Sequence, residues 1–400
     1  MNLSEPIAAL EIGTSRTVIA VGESLSGGRV KVIAINSIPS SGVRKSQIID
    51  IGQAHYSIES VLKSLYDHSD YSIGQAFLAV SGPQIRTSEV KTQVPINGSV
   101  TDEDLDTADA HSYEAGLAQD RYPIELSQIC YSLDDIDNIA SPKGMSGRLL
   151  TLRSLCIHGS AMRISDARTA AHNANLELQD DIFFAGTCAA AAVLTFQDKK
   201  DGALVIDLGG GSTSFTTWRE GKLVQAGVLG VGGEHVTNDI RLAFSLSQAQ
   251  AEHLKTTAAS AIISAEDATV RVPVPDPMPG FKASTISRRA LNTVVNARLQ
   301  ELFMIIRQQL DSEGFLHCLN AGVVLTGGGS ALPGTVELAA AVFGCGARVG
   351  SILPEIEGLE KAPHPAACAV IAGLLLLAQP KSESSGGILA SIQNIFRRKK

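Results

Sequence analysis

The chain has 400 residues, 44% of them hydrophobic and 18% charged, a composition that excludes a disordered chain and a length that predicts two or more domains. Aromatic residues make up only 4%, too few for the stacking platforms that hold single-stranded nucleic acid. The net charge is −8, yet the last four residues (Arg397, Arg398, Lys399 and Lys400) are all basic, which argues against nucleic acid as a partner and for an anionic surface met at one end.

The first residues, Met1-Asn2-Leu3-Ser4-Glu5-Pro6, lack the basic flank and apolar stretch of a signal peptide. The longest apolar run, 366–378, falls short of the roughly 20 residues that span a bilayer. These features predict a cytoplasmic protein. Six cysteines are scattered without a C-x-x-C pair, as expected for thiols in a reducing compartment, and nine histidines show no metal spacing.

Taken in order, the first candidate strand is Ala9-Leu10-Glu11-Ile12, which runs into Gly13-Thr14-Ser15-Arg16. Residues 17–22 and 30–37 read as further strands separated by Ser26-Gly27-Gly28, a meander. A helix follows, with Ala54, Ile58, Val61, Leu62 and Leu65 at helical spacing, and then a strand over 76–81. From about Pro83 to His158 the texture changes. Short strands at 92–96 and 128–133 flank a polar helix over 102–118, and an alternating strand returns at 149–158. Thr101 with Asp104 three residues on predicts a capping box. The acidic cluster Asp102, Glu103, Asp104, Asp106 and Asp109 reads as the solvated, dipole-favoured start of that helix. This stretch is expected to be a small α+β insertion carried by the first domain.

Helices are predicted over 165–174 and 182–194, the second rich in alanine and suited to close packing against another backbone. The central signal is Val205-Ile206-Asp207-Leu208-Gly209-Gly210-Gly211-Ser212, an apolar strand delivering a carboxylate and three glycines. Successive bare amides at such a turn make an anion-binding nest suited to phosphate; a plain hairpin bend has the same local pattern. Glu11 and Gly13 stand as Asp207 and Gly209 do, and 321–330 is a third apolar strand entering Gly327-Gly328-Gly329-Ser330. Three strand-to-glycine turns imply one shared ligand.

Strands at 213–218 and 222–229 and helices at 234–244 and 247–258 follow, the latter carrying Glu252 and Lys255 on adjacent turns. Four prolines between 273 and 279 predict an edge strand and loop. A long helix over about 286–310 and an apolar helix over 365–378 complete the body. Residues 379–387 read as a linker. In the tail, Ile388, Leu389, Ile392, Ile395 and Phe396 fall on one stripe of a helix beside the four basic residues, the pattern of a helix lying in an anionic membrane interface.

In this order the motifs resemble the actin-like ATPase superfamily and, within it, the FtsA family of bacterial cell-division proteins. The resemblance spans nearly the whole chain. It implies an α/β, actin-like (ribonuclease H-like), duplicated two-lobed fold with an α+β insertion subdomain and a C-terminal amphipathic helix. Subdomain IA would comprise 1–82 and 161–202, with IC inserted at 83–160. IIA would comprise 203–234 and 313–378, with IIB at 235–312, before the linker 379–387 and the membrane helix 388–400.

The same resemblance implies ATP and Mg²⁺ between the lobes. Glu11, Gly13, Thr14 and Ser15 would face the phosphates from one side and Gly209, Gly210, Gly211 and Ser212 from the other. Gly327, Gly328 and Gly329 would lie against adenosine, Glu252 and Lys255 would meet ribose or base, and Asp207 would hold Mg²⁺ through water. Glu11 replaces the Asp of many relatives, and Ser214 stands where a second Asp is common, so slow or absent hydrolysis is expected. Implied partners are the C-terminal peptide of FtsZ, near Arg288 and Arg298, other copies of the chain in filaments, later division proteins and an anionic membrane, with no nucleic acid. The implied location is the cytoplasmic face of the inner membrane at the division site. A PilM-like protein of pilus assembly shares fold and insertion, and a kinase of the superfamily would need a base for an acceptor hydroxyl, for which the sequence offers no candidate.

Overall fold

The computed structural model describes residues 6–69, 71–115, 120–275, 284–360 and 362–380; the expected tail at 388–400 lies outside them. The strand Ile7–Ile12 is central in a six-stranded sheet. It pairs antiparallel with Arg16–Ser24, which pairs antiparallel with Val30–Pro39, and on its other side it runs parallel to Gln75–Val80, itself parallel to Glu177–Phe184. The short strand Ile356–Glu357 adds to the edge of Val30–Pro39.

A second sheet repeats this plan. Ala203–Leu208 pairs antiparallel with Thr213–Arg219, which pairs antiparallel with Lys222–Leu229, while Gly322–Thr326 and then Ala347–Val349 run parallel on the other side. Each half is thus a meander continued by two parallel strands. In both, the central strand is the one whose C-terminal end carries the carboxylate and the glycine turn.

Helix Ile51–His68 starts where the Asp50 side chain accepts from Gln53 N–H at 3.0 Å, and it buries Ala54, Ile58, Val61, Leu62 and Leu65 as the spacing predicts. Each larger apolar side chain contributes about 1.5–3 kcal/mol when fully buried, so this face fixes the helix on the first sheet. Between the lobes, helix Ala185–Val193 is buried along its whole length and packs against the buried helix Ala369–Leu377. Any side chain on Gly373 would collide with the Cys188 carbonyl. The run of small residues therefore permits the close approach expected from the sequence.

The stretch within 83–158 forms its own four-stranded sheet, in the order Arg86–Ser99, Ser146–Ser160, Arg121–Leu133, Ile136–Ile139, with helix Asp102–Ala115 packed on it. Thr101 and Asp104 form the reciprocal cap, with Thr101 N–H donating to Asp104 Oδ2 at 2.8 Å and Asp104 N–H to Thr101 Oγ1 at 3.3 Å. The strands are much longer than the sequence suggests, because long antiparallel pairing carries polar residues such as Arg153 and Ser154 through the ladder. Asp109 also departs from the expected solvated helix start. It is buried, accepts from Gln128 Nε2 at 2.7 and 2.9 Å, and its carboxyl is pushed up to about 6, chiefly by burial.

Several boundaries differ: the helix expected over 165–174 is Ala161–Asn173, and the apolar helix expected over 365–378 opens as a 3₁₀ turn, Pro365–Cys368, before Ala369–Leu377. Ile182, Phe183 and Phe184 end a strand, and the helix begins at Ala185; a fully buried parallel strand reads as a continuous apolar run that periodicity cannot tell from helix. Ile286 lies in the strand Thr285–Ser287, and the long helix is Arg288–Ser312, with Ser287 Oγ capping it through Ala290 N–H at 3.4 Å. Among the described residues no helix is long and apolar enough to cross a membrane.

Candidate functional site

The first and second glycine turns have one backbone design. Gly13 N–H donates to Arg16 O at 3.0 Å, and Gly209 N–H donates to Ser212 O at 3.1 Å. A Cβ on Gly13 would stand 2.8 Å from that Arg16 oxygen, and one on Gly209 would stand 2.7 Å from that Ser212 oxygen. Each turn therefore requires glycine two residues after its carboxylate, because only a residue without Cβ allows the carbonyl so close.

Tertiary packing brings the two turns face to face. A side chain on Gly210 would strike Ser15 Oγ, and one on Gly211 would strike Thr14 Oγ1. The third turn joins through the parallel pairing of Ala203–Leu208 with Gly322–Thr326, which sets Thr326 beside Asp207. Gly327, at φ +77°, would put a Cβ 2.6 Å from Asp207 Oδ1, and Gly329 would put one 2.7 Å from Leu208 Cβ. Gly328 lies between them in the short 3₁₀ turn Gly328–Ala331. Helix Gly233–Phe244 braces the second turn from behind, with Gly233 N–H on Gly209 O at 3.0 Å and Glu234 N–H on Gly210 O at 2.8 Å. At the same helix start Lys255 Nζ donates to Gly233 O at 3.2 Å and to Thr237 Oγ1 at 2.9 Å, and pairs with Glu252 Oε2 at 2.6 Å.

The two carboxylates are electrostatically unlike. Burial, and then the charge of Asp207, push the Glu11 carboxyl up to about 8. Burial pushes Asp207 up to about 6, against a hydrogen bond from Thr326 Oγ1 at 3.2 Å. At neutral pH Asp207 is therefore the anion and Glu11 holds a proton. These residues fit Mg²⁺ near phosphates: two carboxyl groups behind glycine turns that leave room for phosphate and water, where a cation would supply the charge that lets both ionise. Ser214, where the resemblance leads one to look for a carboxylate, is 1% exposed and hydrogen-bonded to Ser81 Oγ at 2.8 Å.

Other predicted residues stand apart. Arg298 is held by Asp239, at 2.6 and 3.2 Å, and by Glu301 at 2.6 Å, and Arg288 lies 3.3 Å from the buried Asp267. Both arginines are thus paired within the chain. The membrane residues Ile388, Leu389, Ile392, Ile395, Phe396 and the four basic residues after them lie outside the described residues. The structure adds a hairpin that the sequence reading passed over, Val43–Arg44 paired with Gln47–Ile48. Its tip, Lys45-Ser46, reaches over the cleft, where Ser46 N–H donates to Thr14 Oγ1 at 2.7 Å and Ser46 Oγ meets Ser212 Oγ at 2.8 Å. The basic pair Arg44-Lys45 was its one local signal.

Two lobes of one topology, joined by packed buried helices and meeting at paired glycine turns, define a protein of the actin-like fold. A solved structure of a PilM–PilN type IV pilus biogenesis complex matches with a TM-score of 0.63 at 17% identity, covering 94% of this chain and 99% of that one. MreB5 of Spiroplasma citri bound to ADP matches with a TM-score of 0.55 at 14% identity, covering 94% and 96%. The family profile of cell division protein FtsA matches residues 204–372, and that of the SHS2 domain inserted in FtsA matches residues 82–158. The cell division protein FtsA of Pseudomonas aeruginosa is 30% identical over 86% of this chain and 82% of its own length, and that of Escherichia coli K12 is 29% identical over 88% and 85%. The chain belongs to the FtsA family of cell-division proteins.

Proposed function

We propose that this cell-division protein binds ATP with Mg²⁺ between its lobes, hydrolyses it slowly or not at all, and uses nucleotide to set its polymer state at the membrane. The observation that carries this reading is the matched pair of turns, Gly13 to Arg16 and Gly209 to Ser212, facing each other with Glu11 and Asp207 behind them. Mg²⁺ supplies the positive charge that neutralises phosphate oxygens. The chain supplies Asp207, ionised at neutral pH, as the oxygen group that holds the hydrated ion. Thr14, Ser15 and Gly209 to Ser212 grip phosphate from opposite sides, Gly327, Gly328 and Gly329 lie against adenosine, and Glu252 and Lys255 meet ribose or base. The hydroxyl pair Ser214 and Ser81 offers an attacking water no charged base. Turnover below about 1 per second, near the low end for enzymes, is the expected outcome of a steady-state phosphate-release assay.

In the same reading the tail, Ile388 to Lys400, is a membrane-binding helix and the chain ties FtsZ to the inner face of the membrane and recruits later division proteins. The FtsZ tail docks near Arg288 and Arg298, and its acidic groups compete with Asp267, Asp239 and Glu301 for them. One tail binds reversibly, while filaments hold firmly through many tails at high effective concentration. Cosedimentation with anionic vesicles, with and without residues 388–400 and with and without ATP, tests this. Pelleting that needs the tail and rises with ATP supports it; equal pelleting of monomers and filaments refutes it.

A further inference from the structure

The hairpin tip Lys45-Ser46 is strained and placed at the cleft. Both residues carry a left-handed backbone, with φ +50° and +55°, although neither is glycine. Two-residue hairpins take this shape readily with Asn-Gly but pay for it with other residues, and strain of this kind persists where surrounding contacts over-determine it. Here the contacts are the cleft itself. Ser46 bonds Thr14 of the first turn and Ser212 of the second, so one residue spans both lobes. The Lys45 amide stands 2.9 Å from where a Cβ on Gly211 would lie.

The Lys45 side chain continues across the cleft. Its Cδ stands 3.5 Å from where a Cβ on Gly230 would lie, on the second lobe, and its charge helps burial hold His235 below the usual histidine range. Lys45 is partly buried and forms no ion pair among the described residues. A half-buried lysine with no ion pair, whose backbone lies against the second phosphate-type turn and whose stem runs along Gly230, is a candidate to meet an anion held at those turns.

We propose that Lys45 is a specificity-determining residue that contacts the terminal phosphate of a nucleoside triphosphate, and that the strained Ser46 turn clasps both lobes so that this contact reports the nucleotide's phosphate length. The proposal rests on the reading of the cleft as an ATP site. Because the hairpin crosses the Gly211 side of the second turn, the ammonium serves the phosphate end and not the base. It discriminates triphosphate from diphosphate, and the clasp transmits that difference to the angle between the lobes.

The test is nucleotide binding to the full chain with Mg²⁺, comparing ATP with ADP, for Lys45→Ala and Lys45→Gln, the latter keeping the side-chain carbons as far as the Cδ that meets Gly230 while removing the charge. Both variants are expected to lose at least tenfold in ATP affinity and less than threefold in ADP affinity, with Lys45→Arg restoring most of the loss. A purely structural stem would lower ATP and ADP alike, or be rescued by Lys45→Gln; either result overturns the proposal, as does an unchanged ATP to ADP ratio. If the unaltered chain binds neither nucleotide, the ATP reading itself falls and the proposal with it. If the unaltered chain binds ATP and the variants match it, only the role of Lys45 falls.

Discussion

The turn after Glu11 and the turn after Asp207 share a hydrogen bond, a glycine and an offset from the carboxylate, yet they are supported differently. The second is braced by backbone: the start of helix Gly233–Phe244 donates two N–H groups to its carbonyls. The first has no helix start behind it among the described residues and is held through its own side chain, Thr14 Oγ1 accepting from Ser46 N–H of the Lys45-Ser46 hairpin. Duplication preserved the device that needs only local sequence, while the supports diverged, and with them the charge. Asp207 has Thr326 to stabilise its anion; Glu11 has burial and a neighbouring negative charge.

Three experiments sharpen or break this comparison. The largest effect is expected at the contact between the turns. Gly210→Val forces a side chain onto Ser15, and ATP affinity should fall at least 100-fold, a loss of about 2.7 kcal/mol, with the ADP loss of similar size. Retained binding by titration would mean that the turns do not jointly hold phosphate.

Next come the paired glycines. Gly13→Ala and Gly209→Ala each place a methyl within 3 Å of a carbonyl oxygen, and each should cost about 1–3 kcal/mol of stability in denaturant melts. The loss is expected to be larger at 209, where the helix start holds the Gly209 and Gly210 carbonyls and leaves the turn less room to shift away from Ser212 O. A larger loss at 13 would reverse the account of which turn is braced.

The smallest effect is expected at Glu11. Its folded carboxyl titrates at about 8 against an unfolded value of 4.5, so between those pH values the folded state binds more protons than the unfolded. Stability then falls as pH rises through this window and stays low above it. Without Mg²⁺ or nucleotide, Glu11→Gln should flatten that slope and raise stability at pH 9 by about 1–2 kcal/mol, a discount on 1.36 kcal/mol per unit because the cleft admits solvent. An unchanged slope would place the titration elsewhere in the molecule.

Much of this was legible in the chain because it is local. The three glycine turns, the buried face of Ile51–His68, the cap of Thr101 and Asp104, and the close-packing alanine helix each depend on residues within a few positions of one another. What misled was burial on all sides, as at Ile182 to Phe184, where a strand and a helix carry the same apolar run. Asp109 misled in the opposite sense: a carboxylate in an acidic helix start is normally solvated, and only the sheet beneath it supplies Gln128.

The sequence by itself determined that three strands end in glycine turns and where the two carboxylates stand, because a strand, a turn and a missing Cβ are written in consecutive residues. Only the tertiary structure decided which turn faces which, that Ser81 fills the place beside Ser214, that Lys45-Ser46 closes over the cleft, and that Glu11 and Asp207 hold protons differently. Those properties come from contacts such as Ser46 to Ser212, which join residues far apart in the chain. Their energies depend on burial and on neighbouring charge, and neither exists until the two lobes have met.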